Sequence, residues 1–245
     1  MRHFWRSYRL MLTWDFLRRR RLLPTIVVIQ LALSVGVVYG FAFLMPDIDG
    51  KSALYLSTGA PTLSMLVLGL TVVPQEVAQA KLTGRLDWMS TLPVARLVPL
   101  ASEITYWLVA SLPGTVIALL VGSYRFDFGL DVSLAVVPAL LLVAATAAAV
   151  GYGIAAASPP QLTQQVTSFV SIGILLFSPV NFPAEQLPSS LQAVHRVLPV
   201  EAMADIVRWS LTGKYVAHPL TAFATVSCWC VAALLLSVRV ATRRR

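Results

Sequence analysis

The sequence predicts an all-α fold: a polytopic membrane protein with six transmembrane helices, an N-terminal interfacial elbow helix, and short external helices between spans five and six. Three observations carry that prediction. Of the 245 residues, 57% are hydrophobic and 12% charged, about half the roughly 25% charge of a soluble domain. The apolar residues fall in long unbroken runs without strand alternation, which selects helices over a barrel as the way to satisfy backbone polar groups in lipid. The basic residues punctuate those runs instead of gathering on one face.

The formal charge of +8 would suit nucleic acid only if the basic side chains shared a solvated surface. With the topology argued below, 14 of the 19 Lys and Arg lie on one side of the membrane, as orienting charges do, and no nucleic-acid partner is expected. Cys228 and Cys230, two residues apart on a helix, point about 200° apart. They cannot pair with each other or share a metal, and read as small packing residues.

One transmembrane domain, 1–245, is expected, and its elements follow in order. Residues 1–21 form the elbow helix, with Phe4, Tyr8, Leu12 and Phe16 recurring every four residues and Arg2, Arg6 and Arg9 elsewhere around the turn. Its role stays open between a topology signal drawn to anionic lipid and a lever that touches cytoplasmic machinery. The first span, 22–45, has no small-residue cleavage site and reads as uncleaved. Arg18 to Arg21 before it, with Asp47 and Asp49 after it, place the N-terminus in the cytoplasm. Within it Ala32, Gly36 and Gly40 form a small-residue ridge that admits another helix, from this chain or a second one.

The second span, 54–73, returns the chain to the cytoplasm at an inner loop, 76–96. There Glu76 and Lys81 precede Gly84, which breaks the helix, and Arg85 to Leu92 reads as a short amphipathic helix stopped by Pro93. Leu86, Met89 and Leu92 share one stripe, while Trp88 is free to meet a partner protein or to lie on the membrane. The third span, 98–122, carries a kink at Pro113-Gly114 and leads to a short acidic turn. The fourth, 132–157, is rich in Ala and Gly, and Ser158-Pro159-Pro160-Gln161 turns the chain back.

The fifth span, 165–180, holds Gln165, Thr167, Ser168 and Ser171 in its inner half, as if it began in a polar cavity. Two amphipathic stretches, 187–197 and 200–211, fall within the polar segment 181–218 and are expected to be short external helices. The last span, 219–238, ends in Arg239, Arg243, Arg244 and Arg245, so both termini are expected inside. Glu103, at the membrane entrance of the third span, is a functional candidate by its charge or a structural partner of Arg96.

These features resemble the ABC type-2 exporter permeases over nearly the whole chain. The family's inner loop has a Glu at the end of the second span, a Gly, a short helix, then Pro and Arg, matched here by Glu76, Gly84, Leu86 to Leu92, Pro93 and Arg96. The run Ser178 to Pro188, followed by Leu198-Pro199 and Arg208 to Gly213, is similar to its external re-entrant segment. One departure stands out: many relatives carry a basic residue shortly after the loop's Pro-Arg pair, where this chain has Glu103.

The resemblance implies a coupling site at Glu76, Gly84, Arg85, Leu86, Asp87, Trp88, Met89, Pro93 and Arg96. It implies a cargo path between spans two and five, lined here by Thr62, Met65, Gln165, Ser168, Phe169 and Ile172, and an external gate at Pro179, Phe182, Pro183, Glu185 and Pro188. It also implies two ABC ATP-binding subunits and a second permease, the same chain or a related one, in the lipid of a bacterial plasma membrane. ATP and Mg would sit on the ATP-binding subunits. The chain itself has no G-x-x-x-x-G-K-[ST] loop to cradle phosphates.

The expected function is ATP-driven export of a hydrophobic or amphipathic small molecule, drug-like or antibiotic. Export of a lipid or lipid-linked glycan is the alternative, disfavoured by the few aromatics in the spans. An intramembrane enzyme would need a constellation such as H-E-x-x-H or G-x-S-x-G, which the sequence lacks; His3, His195 and His218 are scattered, and His195 is expected to be solvated. An ion-coupled transporter would need acids inside its spans, and only Glu103 and Glu76 come near.

Overall fold

The computed structural model describes residues 2–44, 50–95, 97–126, 133–183, 187–213, 216 and 218–243. Asp47, Asp49, Arg96, Glu185, Arg244, Arg245 and most of the acidic outer turn lie outside them. The described residues form eleven helices and no strand. They are α1 (Arg2–Arg19), α2 (Leu23–Leu44), α3 (Gly50–Val67), α4 (Val73–Leu82), α5 (Arg85–Thr91), α6 (Leu97–Phe126), α7 (Val136–Ala157), α8 (Pro160–Phe177), α9 (Ser189–Val197), α10 (Pro199–Thr212) and α11 (Pro219–Arg243). Multiple apolar helices make this a multi-pass membrane protein.

Among the described residues five helical stretches are long and apolar enough to cross a membrane: Leu23–Gly40, Leu54–Leu82, Leu97–Tyr124, Val136–Ala157 and Pro219–Arg239. Helix α8 is absent from that set. Its first half holds Gln161, Thr163, Gln164, Gln165, Thr167 and Ser168, which dilute its hydropathy below that of a lipid-facing span. It also begins five residues before the expected 165, because Pro159 and Pro160 open a helix as readily as they close one.

The second span runs longer than its apolar composition suggests. Helices α3 and α4 are continuous through a wide π turn at Leu68–Val72, so helical structure passes Glu76 and Lys81 and stops at Leu82. Such a turn marks a helix carrying an extra residue. Here it lies where α7 crosses at backbone contact, since a Cβ on Gly151 would fall onto the carbonyl oxygen of Gly69. Close approach of this kind is how membrane helices gain packing when lipid is as apolar as their side chains.

Two apolar clusters fill the bundle. One joins Val38, Leu63, Met65, Val143, Ala147, Met203, Ile206 and Val226, drawing on α2, α3, α7, α10 and α11. The other joins Ile26, Val73, Val77, Tyr106, Trp107 and Ala155, with Leu12 and Phe16 of α1 packed against it. Helix α1 is therefore half-embedded in the protein, its Tyr8 hydroxyl 2.7 Å from that of Thr105 on α6.

Helices α9 and α10 meet at Leu198, and Trp229 of α11 donates to the Val197 carbonyl at 3.0 Å. His195 is not solvated as expected: it is 5% exposed. Its position one turn after the half-buried Leu191 turns it to the inner side of amphipathic α9.

Candidate functional site

The charged residues of the inner end converge on one side chain. Arg19 closes α1 and is 1% exposed. Its Nη1 reaches Asp15 at 2.9 Å, its Nε reaches Glu76 of α4 at 3.1 Å, and its Nη2 reaches Glu103 of α6 at 2.7 Å. The same guanidinium lies over the rings of Tyr106 and Trp107, 4.7 and 5.3 Å from their centroids. Ser102 donates to the other Asp15 oxygen at 2.9 Å.

Around this hub Arg18 pairs with Glu76 at 3.3 Å, and Arg85 donates to the Glu76 carbonyl at 3.2 Å. Arg18, Arg19 and Arg85 thus balance Asp15, Glu76 and Glu103. Burial alone lowers the Arg19 pKa, but Glu103, Asp15 and Glu76 outweigh it and the net shift is upward. Burial, and then repulsion from Arg18, push Arg85 below its usual value. A guanidinium suits such a hub because its planar fork serves several carboxylates while its face stacks on rings.

Beyond Leu82 the chain turns at Gly84, whose φ of 68° lies in the left-handed region that glycine tolerates, and α5 starts at once. Leu86 and Met89 are half-buried, and Asp87 and Pro93 are exposed. Trp88 is 52% exposed, with its ring 6.1 Å from Trp14 of α1. Leu92 lies past the last residue of the helix, so two residues of the expected stripe remain on α5 itself. The arrangement is a short helix presenting a large aromatic, its stem tied to α1 through Glu76 and, by way of Arg19, to Glu103 of α6.

The other end holds a second buried arginine. Arg208 of α10 is 1% exposed, with its guanidinium 3.7 Å from the ring centroid of Tyr55 on α3. It pairs with Asp205 at 2.6 Å, donates to the Val180 carbonyl at 3.0 Å and to the Thr58 hydroxyl at 3.3 Å. Burial lowers its pKa, against partial support from Asp205. Of the residues expected at an external gate, Pro179 and Pro183 are buried, Phe182 is half-buried and Pro188 is exposed just before α9.

The sequence model of the ABC-2 family transporter proteins matches residues 46–239. The chain belongs to that family. It is an ABC-2 type permease, a transport subunit of a family that normally works with an ATP-binding subunit. Comparison with curated proteins finds no match. The family match begins after α2, so the Arg19 hub joins a helix outside the matched region to Glu76 and Glu103 within it.

In this ABC-2 permease the six residues expected along a cargo path do not share one surface. Thr62 and Met65 are buried in the chain's own core, Thr62 bonded back to the Thr58 carbonyl at 3.4 Å. Gln165, Phe169 and Ile172 are exposed on α8, Phe169 at 82%, and Ser168 is half-buried. Helix α8 is held to the π turn by Thr71 and Ser171, whose hydroxyls are 2.8 Å apart. Ala32, Gly36 and Gly40 are exposed on α2, and a Cβ on either glycine would meet nothing within 4 Å.

Sequence reasoning placed Glu76, Arg85 and Trp88 in the site but not Arg19, Asp15 or Trp14. One signal was present: Asp15 is the sole acid before Asp47, and it stands one helical turn from Arg19 in an otherwise basic segment.

Proposed function

We propose that this chain is the six-span permease of an ATP-driven exporter that moves hydrophobic or amphipathic small molecules out across a bacterial plasma membrane. In this reading α8 is the fifth span, packed in protein on one side and facing the cargo path with Gln165, Phe169 and Ile172 on the other. Its polar half divides between neighbouring helices, which bury Thr163 and Thr167, and a polar path faced by the exposed Gln161, Gln164 and Gln165, which accommodates its modest hydropathy. Helix α1 is the interfacial elbow. A second permease packs along Ala32, Gly36 and Gly40, and two ATP-binding subunits, which hold ATP and Mg, seat on α5.

The observation that supports this reading most is the inner end of α4. A seven-residue helix, α5, carries a half-exposed Trp88 on a stem that Glu76 ties to Arg19, Arg18 and Arg85. An exposed aromatic on a rigid support is the kind of anchor that partner proteins bury. Displacement of α5 would reach α1 and α6 through charges already in contact.

The test is purification of this chain with the ATP-binding subunit from its native membrane, for the parent and for Trp88→Ala and Leu86→Asp. Both variants are expected to insert normally and to lose most of the bound ATP-binding subunit and its permease-stimulated ATP turnover. Full retention of both by the two variants would remove α5 from the coupling path. Transport in vesicles that survives ATP depletion and collapses with the proton gradient would overturn ATP drive altogether.

A further inference from the structure

Lys81 lies in the last turn of α4, three residues before Gly84. Across from it α7 ends at Ala157 and is followed by Ser158, Pro159 and Pro160. In an α-helix the carbonyl of Ala155 would accept from the amide of residue 159, and that of Ala156 from residue 160. Both positions are proline and have no N–H. The twin prolines therefore remove the i+4 amide donors of two carbonyls at the negative pole of the α7 dipole. The Ser158 amide still serves Ile154, at 2.9 Å.

A different helix donates to both. The Lys81 ammonium donates to the Ala155 carbonyl, to that of Ala156 at 3.2 Å and to that of Ser158 at 3.0 Å. An ammonium carries three donors and a full positive charge, so one side chain caps three carbonyls and opposes the helix dipole. The cap belongs to the stem of α5, and the turn it grips opens α8 at Pro160.

We propose that Lys81 is a positioning residue for transport, holding the α7–α8 turn to the stem of α5 so that nucleotide-driven movement of α5 reaches the first turn of α8. This rests on the coupling role of α5 given above. It adds a second route from α5, separate from the Glu76–Arg19 contacts: those lead to α1 and α6, whereas Lys81 leads to the helix that carries Gln165, Phe169 and Ile172. A purely structural cap would stabilise the turn to the same extent with or without nucleotide.

The test is amide hydrogen exchange on the complex of this chain with its ATP-binding subunit, with and without ATP and vanadate. It reads α5 and the amides of Leu162 and Thr163, which bond to the Pro159 carbonyl at 3.0 and 3.1 Å in the first turn of α8. The unmodified complex is expected to show a nucleotide-dependent change in both places. Lys81→Met should keep the change in α5 and lose it at Leu162 and Thr163, and Lys81→Arg, which keeps charge and donors, should retain both. An unmodified complex in which α5 responds and Leu162 and Thr163 do not would overturn the proposal without any variant, as would a Lys81→Met complex in which both still respond. An α5 that never responds to nucleotide would remove the coupling reading itself, and this proposal with it.

Discussion

Arg19 and Arg208 are equally buried, at 1% exposure, yet they solve the cost of an interior charge in different ways. Their partners on the α3–α4 helix, Tyr55 and Glu76, are about 30 Å apart along the axis at 1.5 Å per residue. Arg19 faces three carboxylates from three helices and two aromatic rings. Arg208 has Asp205 one turn away on its own helix, and otherwise a ring, a carbonyl and a hydroxyl. The opposite directions of their pKa shifts follow from that difference. Arg19 neutralises buried acid and joins α1, α4 and α6; Arg208 pins the segment around Val180 to α3 with weaker, mostly neutral contacts.

The contrast is broken or sharpened by removing each charge. Arg19→Met leaves Asp15, Glu76 and Glu103 facing one another without their central cation, and should lower stability by about 3–5 kcal/mol, read as thermal unfolding in detergent. Adding Glu103→Gln to that variant removes one uncompensated charge and should recover part of the loss. Arg208→Met, which abandons one partly exposed carboxylate, Asp205, with a carbonyl and a hydroxyl rather than three acids, should cost about 1–3 kcal/mol. Tyr55→Leu takes only the ring from Arg208 and should cost about 0.5–2 kcal/mol. Equal losses in Arg19→Met and Arg208→Met would mean that carboxylate count does not set the cost, and the distinction between the two ends would fall.

The two ends also differ in how far the sequence revealed them. Apolar runs and their charged flanks were enough for an all-helical, multi-pass chain, because lipid leaves few other ways to pair a backbone. Gly84 and Pro93 bracket α5 through local conformational rules that need no tertiary context. Arg19 was hidden for the opposite reason. It is one of four consecutive arginines, and local pattern cannot distinguish a side chain drawn into a carboxylate cage from its solvated neighbours.

Lys81 was hidden in the same way, although Pro159-Pro160 announced two carbonyls without an in-helix amide donor. Thr62 and Met65 are buried by the packing of α3 against its neighbours, a placement that their residue types alone do not announce. His195 looked polar and therefore wet, but amphipathic α9 turns it inward. What escaped the sequence in each case is a long-range contact.

Coupling to ATP depends most on α5 being the seat of an ATP-binding subunit. A photo-crosslinking amino acid placed at position 88, with a control at the exposed Leu120 on α6, reads that contact in intact membranes. The expected result is an adduct of position 88 with a phosphate-loop ATPase, which does not form when the two proteins are solubilised apart before irradiation and is absent from position 120. Adducts of position 88 with lipid alone, in membranes where the ATP-binding subunit is present, would place α5 on the bilayer and contradict the coupling site.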